Sequence, residues 1–267
     1  MEEPLVKKMP VLFIGHGSPM NAIEQNPFTQ VLSDLGARLP RPRAVCVVSA
    51  HWVTSGTEVL KLKSEHPRTI HDFYEFPRPL YEVEYPAPGA PEEAEKIAAN
   101  PAVGKDEIRG LDHGAWSVLR HLYPKADVPV FQLSLDERRG FKEHLELGRE
   151  IRNLRERGVL ILGSGNIVHN LRQVDWNSPH GAYDWAIEFD AKVKGAVEKH
   201  DANALAQPQN WGETLLKRAH PTVEHYLPLL YSIGATDDKD VVSYPYEGFD
   251  LGSISMRAVL FGESPRS

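Results

Sequence analysis

Val11-Leu-Phe-Ile-Gly-His-Gly-Ser-Pro-Met20 runs four apolar residues straight into a histidine held between two glycines. A short apolar run bounded by turn residues reads as a buried strand, and the carboxyl end of such a strand is where an open α/β sheet places its chemistry. Ala44-Val-Cys-Val-Val-Ser-Ala-His-Trp52 repeats the pattern, a second buried strand delivering His51 at its carboxyl end. Two strands that each finish in a histidine predict two ligands aimed at one point.

Working outward, further apolar runs at 128–133 and after Gly158 predict two more buried strands, and a shorter alternating one spans 57–63. Closing strands are expected at 241–243 and 253–261. Helical periodicity covers 24–38, 91–100, a stretch after Gly110-Leu-Asp-His-Gly-Ala-Trp116 that runs through Leu122, 142–157, 182–200 and 222–233. Strands alternating with helices predict an α/β fold, a three-layer sandwich whose mixed central sheet carries helices on both faces. With no linker or repeat, residues 1–267 read as a single catalytic domain with a structured core over about 10–261. Residues 64–91 are rich in proline and aromatics; a loop that long in a compact domain is functional or disordered, and the aromatics favour an ordered lid or pocket wall.

Composition narrows the function. With 41% apolar and 25% charged residues the chain is an ordinary globular protein. A net charge of −7 lacks the basic stripe of a nucleic-acid binder, so none is expected as a partner. No apolar run approaches the roughly 18 residues that span a bilayer, and the acidic opening lacks the apolar core of a signal peptide, which predicts a cytoplasmic protein without a membrane partner. Cys46, the single cysteine, sits mid-strand and reads as a buried, inert thiol.

The 12 histidines matter where they converge. His16 and His51 end strands. His169 follows the glycine-rich Gly163-Ser-Gly-Asn turn, whose glycines allow a close backbone approach as at a ligand site. His113 precedes a glycine at a helix entrance. His225 lies near the start of a helix opened by Pro221, with Glu224 about 100° away around it. His121, His144 and His200 read as solvated helical positions, and His66 and His71 as bystanders on the covering segment. No Cys-x-x-Cys or His-Glu-x-x-His occurs, which excludes a zinc finger and a zincin. Imidazole suits iron, zinc, nickel or copper, and three protein ligands leave positions open for catalysis. Zinc-dependent hydrolysis and iron–oxygen chemistry both satisfy these residues.

Taken in order, Gly15-His16-Gly17-Ser18-Pro19-Met20-Asn21, Ser49-Ala50-His51-Trp52, Tyr85-Pro86-Ala87-Pro88-Gly89, Asp112-His113-Gly114, Ser164-Gly165-Asn166-x-x-His169-Asn170 and Pro221-Thr222-x-Glu224-His225-Tyr226 resemble the extradiol 4,5-DOPA dioxygenase family of the class III ring-opening dioxygenases, relatives of protocatechuate 4,5-dioxygenase. The resemblance implies a non-haem Fe(II) enzyme, with zinc able to occupy the same site, that opens the ring of a DOPA-like catechol with O2 to a muconic semialdehyde. It implies His16, His51 and His225 as metal ligands, with His169 as the catalytic acid/base and a further possible ligand. His113 would be a catalytic group lining the substrate pocket, and Ser18 and Tyr226 substrate contacts. Wider relatives use a carboxylate as third ligand, which makes Glu224 a minor candidate. Glu75 departs from the pattern, standing where glycine is expected. A zinc-dependent hydrolase on the same three histidines is the alternative.

Overall fold

The computed structural model describes residues 8–60 and 66–262. The opening segment, residues 61–63 of the strand expected at 57–63, and residues 64–65 of the covering segment lie outside the described residues.

Among the described residues eight strands form one sheet: β1 Val11–Gly15, β2 Ala44–Thr54, β3 Thr57–Leu60, β4 Val103–Asp106, β5 Val130–Asp136, β6 Val159–Gly165, β7 Val242–Tyr246 and, after a two-strand ribbon of β8 Phe249–Asp250 and β9 Ile254–Ser255, β10 Ala258–Phe261. Their spatial order is β4-β3-β5-β2-β6-β1-β10-β7. The central β5, β2, β6 and β1 run parallel, whereas β3 is antiparallel to β5 and β10 is antiparallel to both β1 and β7. This is the mixed sheet expected from the sequence.

The uninterrupted apolar runs follow from burial on both faces. Val11, Phe13, Cys46 and Val48 point to one face, against Leu145, Phe189 and Leu230 of helices Phe141–Glu150, Asp184–Glu198 and Leu227–Gly234. Leu12, Ile14, Val45 and Val47 point to the other, against helices Pro27–Arg38 and His113–Leu122. Among the described residues no helix is long and apolar enough to cross a membrane.

Several elements differ from expectation at their ends. The helix expected from 24 starts at Pro27, because Asn26 accepts the Thr29 N–H at 2.9 Å while Thr29 Oγ1 accepts the Asn26 N–H at 3.0 Å, a reciprocal cap. The helix expected over 142–157 is α-helical only for Phe141–Glu150 and continues as a 3-10 turn, Arg152–Arg157, closed by left-handed Gly158. The strand expected at 253–261 is split between β9 and β10, and β4 is a strand the sequence pattern does not signal. The helix expected from 222 begins only at Leu227, which leaves His225 in the turn before it.

His144 and His121 are not solvated. His121 is half-buried, its Nε2–H donating to Asn21 O at 2.7 Å. His144 is fully buried, its Nδ1 3.1 Å from the Tyr231 hydroxyl. Burial pushes its pKa down to about 4, and burial does the same for His220, whose Nε2–H donates to Ile167 O at 2.7 Å. Both stay neutral in the folded chain at pH values where the unfolded chain, with histidine near its ordinary value of about 6.5, takes up protons. Their contribution is therefore complete above about pH 6.5 and is lost as pH falls towards 4. Urea unfolding across that window is expected to show falling stability, and His144→Gln a slope shallower by at most about 1.4 kcal/mol per pH unit. Parallel curves for the two proteins would contradict the assignment.

Candidate metal centre

β6 lies between β2 and β1 and runs parallel to both, so three strand ends stand side by side and frame a crevice. His16 follows β1 directly, its backbone N–H donating to Gly165 O at 3.0 Å. His51 does not end its strand. The pairing of β2 with β5 jumps from Val48↔Leu133 to Val53↔Leu135, and His51 sits in the resulting bulge, a device that re-aims a side chain. The glycines expected to admit a ligand admit the chain's own backbone instead. A Cβ on Gly163 would meet Pro228 O at 2.5 Å, and one on Gly165 would meet His225 O at 2.2 Å. Their bareness lets helix Leu227–Gly234 and its preceding turn press onto β6, which sets His225 over the strand ends.

His16, His51 and His225 each offer a ring nitrogen within 4.8 Å of the others. Hydrogen bonds assign the tautomers of His16 and His225, and a nearby charge favours one for His51. Ser164 Oγ gives its single proton to Gly114 O at 2.5 Å, so at 2.9 Å it must accept one from His16 Nδ1–H. The Glu224 carboxylate accepts from His225 Nδ1–H at 3.1 Å. Asp72 Oδ2 stands 3.6 Å from His51 Nδ1, a charge that favours the proton on that nitrogen. All three rings then present bare Nε2 atoms inward, and those of His16 and His51 come within 3.1 Å of one another. Two lone pairs so close repel unless a proton or a metal cation lies between them. Two nitrogens each about 2.1 Å from one ion are that far apart at an angle of about 95°, so the donor set fits a divalent transition metal.

Electrostatics agree. Burial, followed by the neighbouring histidines, holds His16 and His225 well below the ordinary histidine range. Burial and then His113 do the same for His51, with Asp72 opposing. The rings stay neutral, as ligands must be.

His169 and His113 flank this trio. The His169 ring stacks on His225 at 3.5 Å between centroids and 7° between planes, and burial pushes its pKa down to about 3. His113 opens helix His113–Leu122, capped by Asp112, with its ring centroid 3.8 Å from that of His51. Ser18 lies two residues beyond His16, its Oγ accepting the Met20 N–H at 3.2 Å. Tyr226 corrects the expectation for it. It is fully buried among Phe141, Phe189 and His220 with its hydroxyl donated to Leu205 O at 2.8 Å, because the residue after His225 in the turn points into the core. Glu224 does not diverge from His225 as a helix would require, since both lie in the turn.

The segment expected as lid or wall is a wall. Phe73, Leu80, Val83 and Tyr85 are buried, and the Trp116 indole N–H donates to Ile70 O at 2.8 Å. Glu75 takes φ 63°, a left-handed backbone that costs a side-chain-bearing residue roughly 1–2 kcal/mol and glycine nothing. Two site residues escaped the sequence reading: Asp72 and Ser164. Asp72 accepts from both the backbone N–H and Nδ1–H of His113 at 3.0 Å each. Burial raises the Asp72 pKa, but these bonds outweigh it and hold the value at about 2.

A family model for the catalytic LigB subunit of aromatic ring-opening dioxygenase matches residues 10–255. The chain is 46% identical over 277 residues to 4,5-DOPA dioxygenase extradiol of Escherichia coli (strain K12), covering 97% of this chain and 99% of that protein. It is 35% identical to 4,5-DOPA dioxygenase extradiol of Beta vulgaris, covering 93% and 95%. Among solved structures it resembles an uncharacterized protein of Escherichia coli K12 with a TM-score of 0.81 and 40% identity, covering 95% of this chain and all of that one.

Proposed function

Since the chain belongs to the family of the catalytic LigB subunit of aromatic ring-opening dioxygenase, we propose that it is a non-haem Fe(II)-dependent extradiol dioxygenase. Its substrates in this reading are a DOPA-like catechol and O2, and its product is a muconic semialdehyde. The relatives' names support the substrate class. The observation that carries the metal is the approach of two bare Nε2 atoms to 3.1 Å.

His16, His51 and His225 hold the iron in this reading, and Ser164, Asp72 and Glu224 hold their rings to the right tautomer. Bound there, Fe(II) supplies one centre for diol and O2 and eases loss of a phenolic proton. His169, neutral and beside His225, receives that proton at its imidazole. His113, with Nδ1–H committed to Asp72, keeps Nε2 for substrate or for proton return during ring opening. Ser18 stays among the substrate contacts, and Tyr226 does not. The enzyme acts as a single cytoplasmic domain.

Colour tests the reading. Protein loaded anaerobically with Fe(II) and then given L-DOPA or another catechol in air is expected to turn yellow, and zinc-loaded protein to stay colourless. Absence of yellow product across a catechol panel overturns the dioxygenase reading, and ester hydrolysis by the zinc form would install the hydrolase in its place.

A further inference from the structure

Asp72 stands on the covering segment, not on the sheet, yet its carboxylate faces two histidines of the site at once. Oδ1 accepts the backbone N–H and Nδ1–H of His113 at 3.0 Å each, and Oδ2 lies 3.6 Å from His51 Nδ1. Its own position is set from outside the cluster. Ile70 N–H donates to Leu111 O at 2.8 Å, Ile70 O accepts the Trp116 indole N–H at 2.8 Å, and Phe73 packs edge-on to His113 with centroids 5.6 Å apart. Among the described residues the ion-pair partners of Asp72 are these two imidazoles.

A carboxylate behind an imidazole Nδ1–H fixes which nitrogen is bare and makes that nitrogen a better ligand. Here one carboxylate serves two rings, and it arrives on a segment that meets the sheet only near its end, where Val130 N–H of β5 donates to Pro88 O at 2.8 Å. We propose that Asp72 is a positioning residue that sets the tautomer and aim of both His51 and His113, and so ties the cation affinity of the histidine cluster to the seating of residues 66–90. This rests on the metal-centre reading above and deepens it. By reciprocity, a cation held by His51 favours the seated segment by the same factor that the seated segment favours the cation.

Zn2+ alone is the probe, competed against a chromogenic chelator on the full chain, and chymotryptic cleavage after Tyr74, 85% exposed, reports on the segment. Asp72→Asn keeps the shape and removes the charge. It is expected to weaken Zn2+ binding about 10–100-fold and to abolish the slowing of cleavage that Zn2+ produces in the unaltered protein, with Asp72→Glu recovering part of both. A merely structural role would lower thermal stability and leave the Zn2+ dependence in place. If Asp72→Asn binds Zn2+ as tightly as the unaltered protein while His51→Ala loses it, the inference fails and the metal centre stands. If His51→Ala also binds Zn2+ unchanged, the metal-centre reading fails and takes the inference with it. Should Asp72→Asn not fold, the unaltered protein decides: cleavage equally fast with and without saturating Zn2+ overturns the proposal.

Discussion

His16→Ala is expected to leave the protein folded, without bound metal and with kcat/KM reduced by well over about 100-fold. The bound on magnitude comes from the supporting shell. Removing a partner that only orients a metal-bound histidine costs roughly 10–100-fold, so removing the donor atom itself costs more. The geometry makes this position decisive. The His16 ring stands 5.0 Å from that of His51 and 5.4 Å from that of His225, and the approach of two bare nitrogens includes its own Nε2. Metal content after gel filtration and O2 uptake with a catechol are the measurements. Stoichiometric iron retained by a His16→Ala, His51→Ala double variant would remove both residues from the ligand set.

His169→Ala should behave in the opposite way towards metal. It keeps the iron and loses turnover by about 10²–10⁴, the usual contribution of a positioned acid/base group. The loop that carries it is fastened by its backbone, through the His169 N–H to Ala219 O at 3.0 Å and the bridge to Ile254, so truncation beyond Cβ leaves the path of the chain intact. What disappears is an imidazole lying flat on His225, a neutral base beside the point where a phenol would lose its proton. Single-turnover kinetics on iron-replete variant protein separate this loss from a loss of metal. Full activity in His169→Ala would transfer the role to His113, whose Nε2 is free of the Asp72 bond.

Burial on both faces is why the strands were legible. Apolar runs such as 11–14 and 44–48 have no other stable place in a protein of this composition, and each pointed to a histidine next to it. The bulge at His51 carries no comparable signal, since only the register with β5 reveals it. His144 reads as solvated from the sequence because the helix around it is highly charged, and one histidine on the inward stripe looks like its neighbours until Tyr231 stands opposite. Its motif draws Tyr226 to the substrate, although at the end of the turn its side chain enters the core while Glu224 and His225 stay together at the site. Asp72 lies 21 residues beyond His51 and 41 before His113, in a segment without helical or strand period. Nothing local in a chain announces a contact made across such distances.

The placement of β1 has a consequence for the birth of the molecule. The strand that runs into His16 is synthesised well before its partners, β6 at residues 159–165 and β10 at residues 258–261. β2 likewise waits for β5 and β6. Two almost wholly apolar segments are therefore translated long before the strands that will cover their hydrogen-bonding edges, and at roughly 5–20 residues per second that interval lasts on the order of 10 s or more. A nascent chain in that state is adhesive, and β pairing at such long range is intrinsically slow. Those two stretches are the chain's sticky surfaces until the sheet is complete.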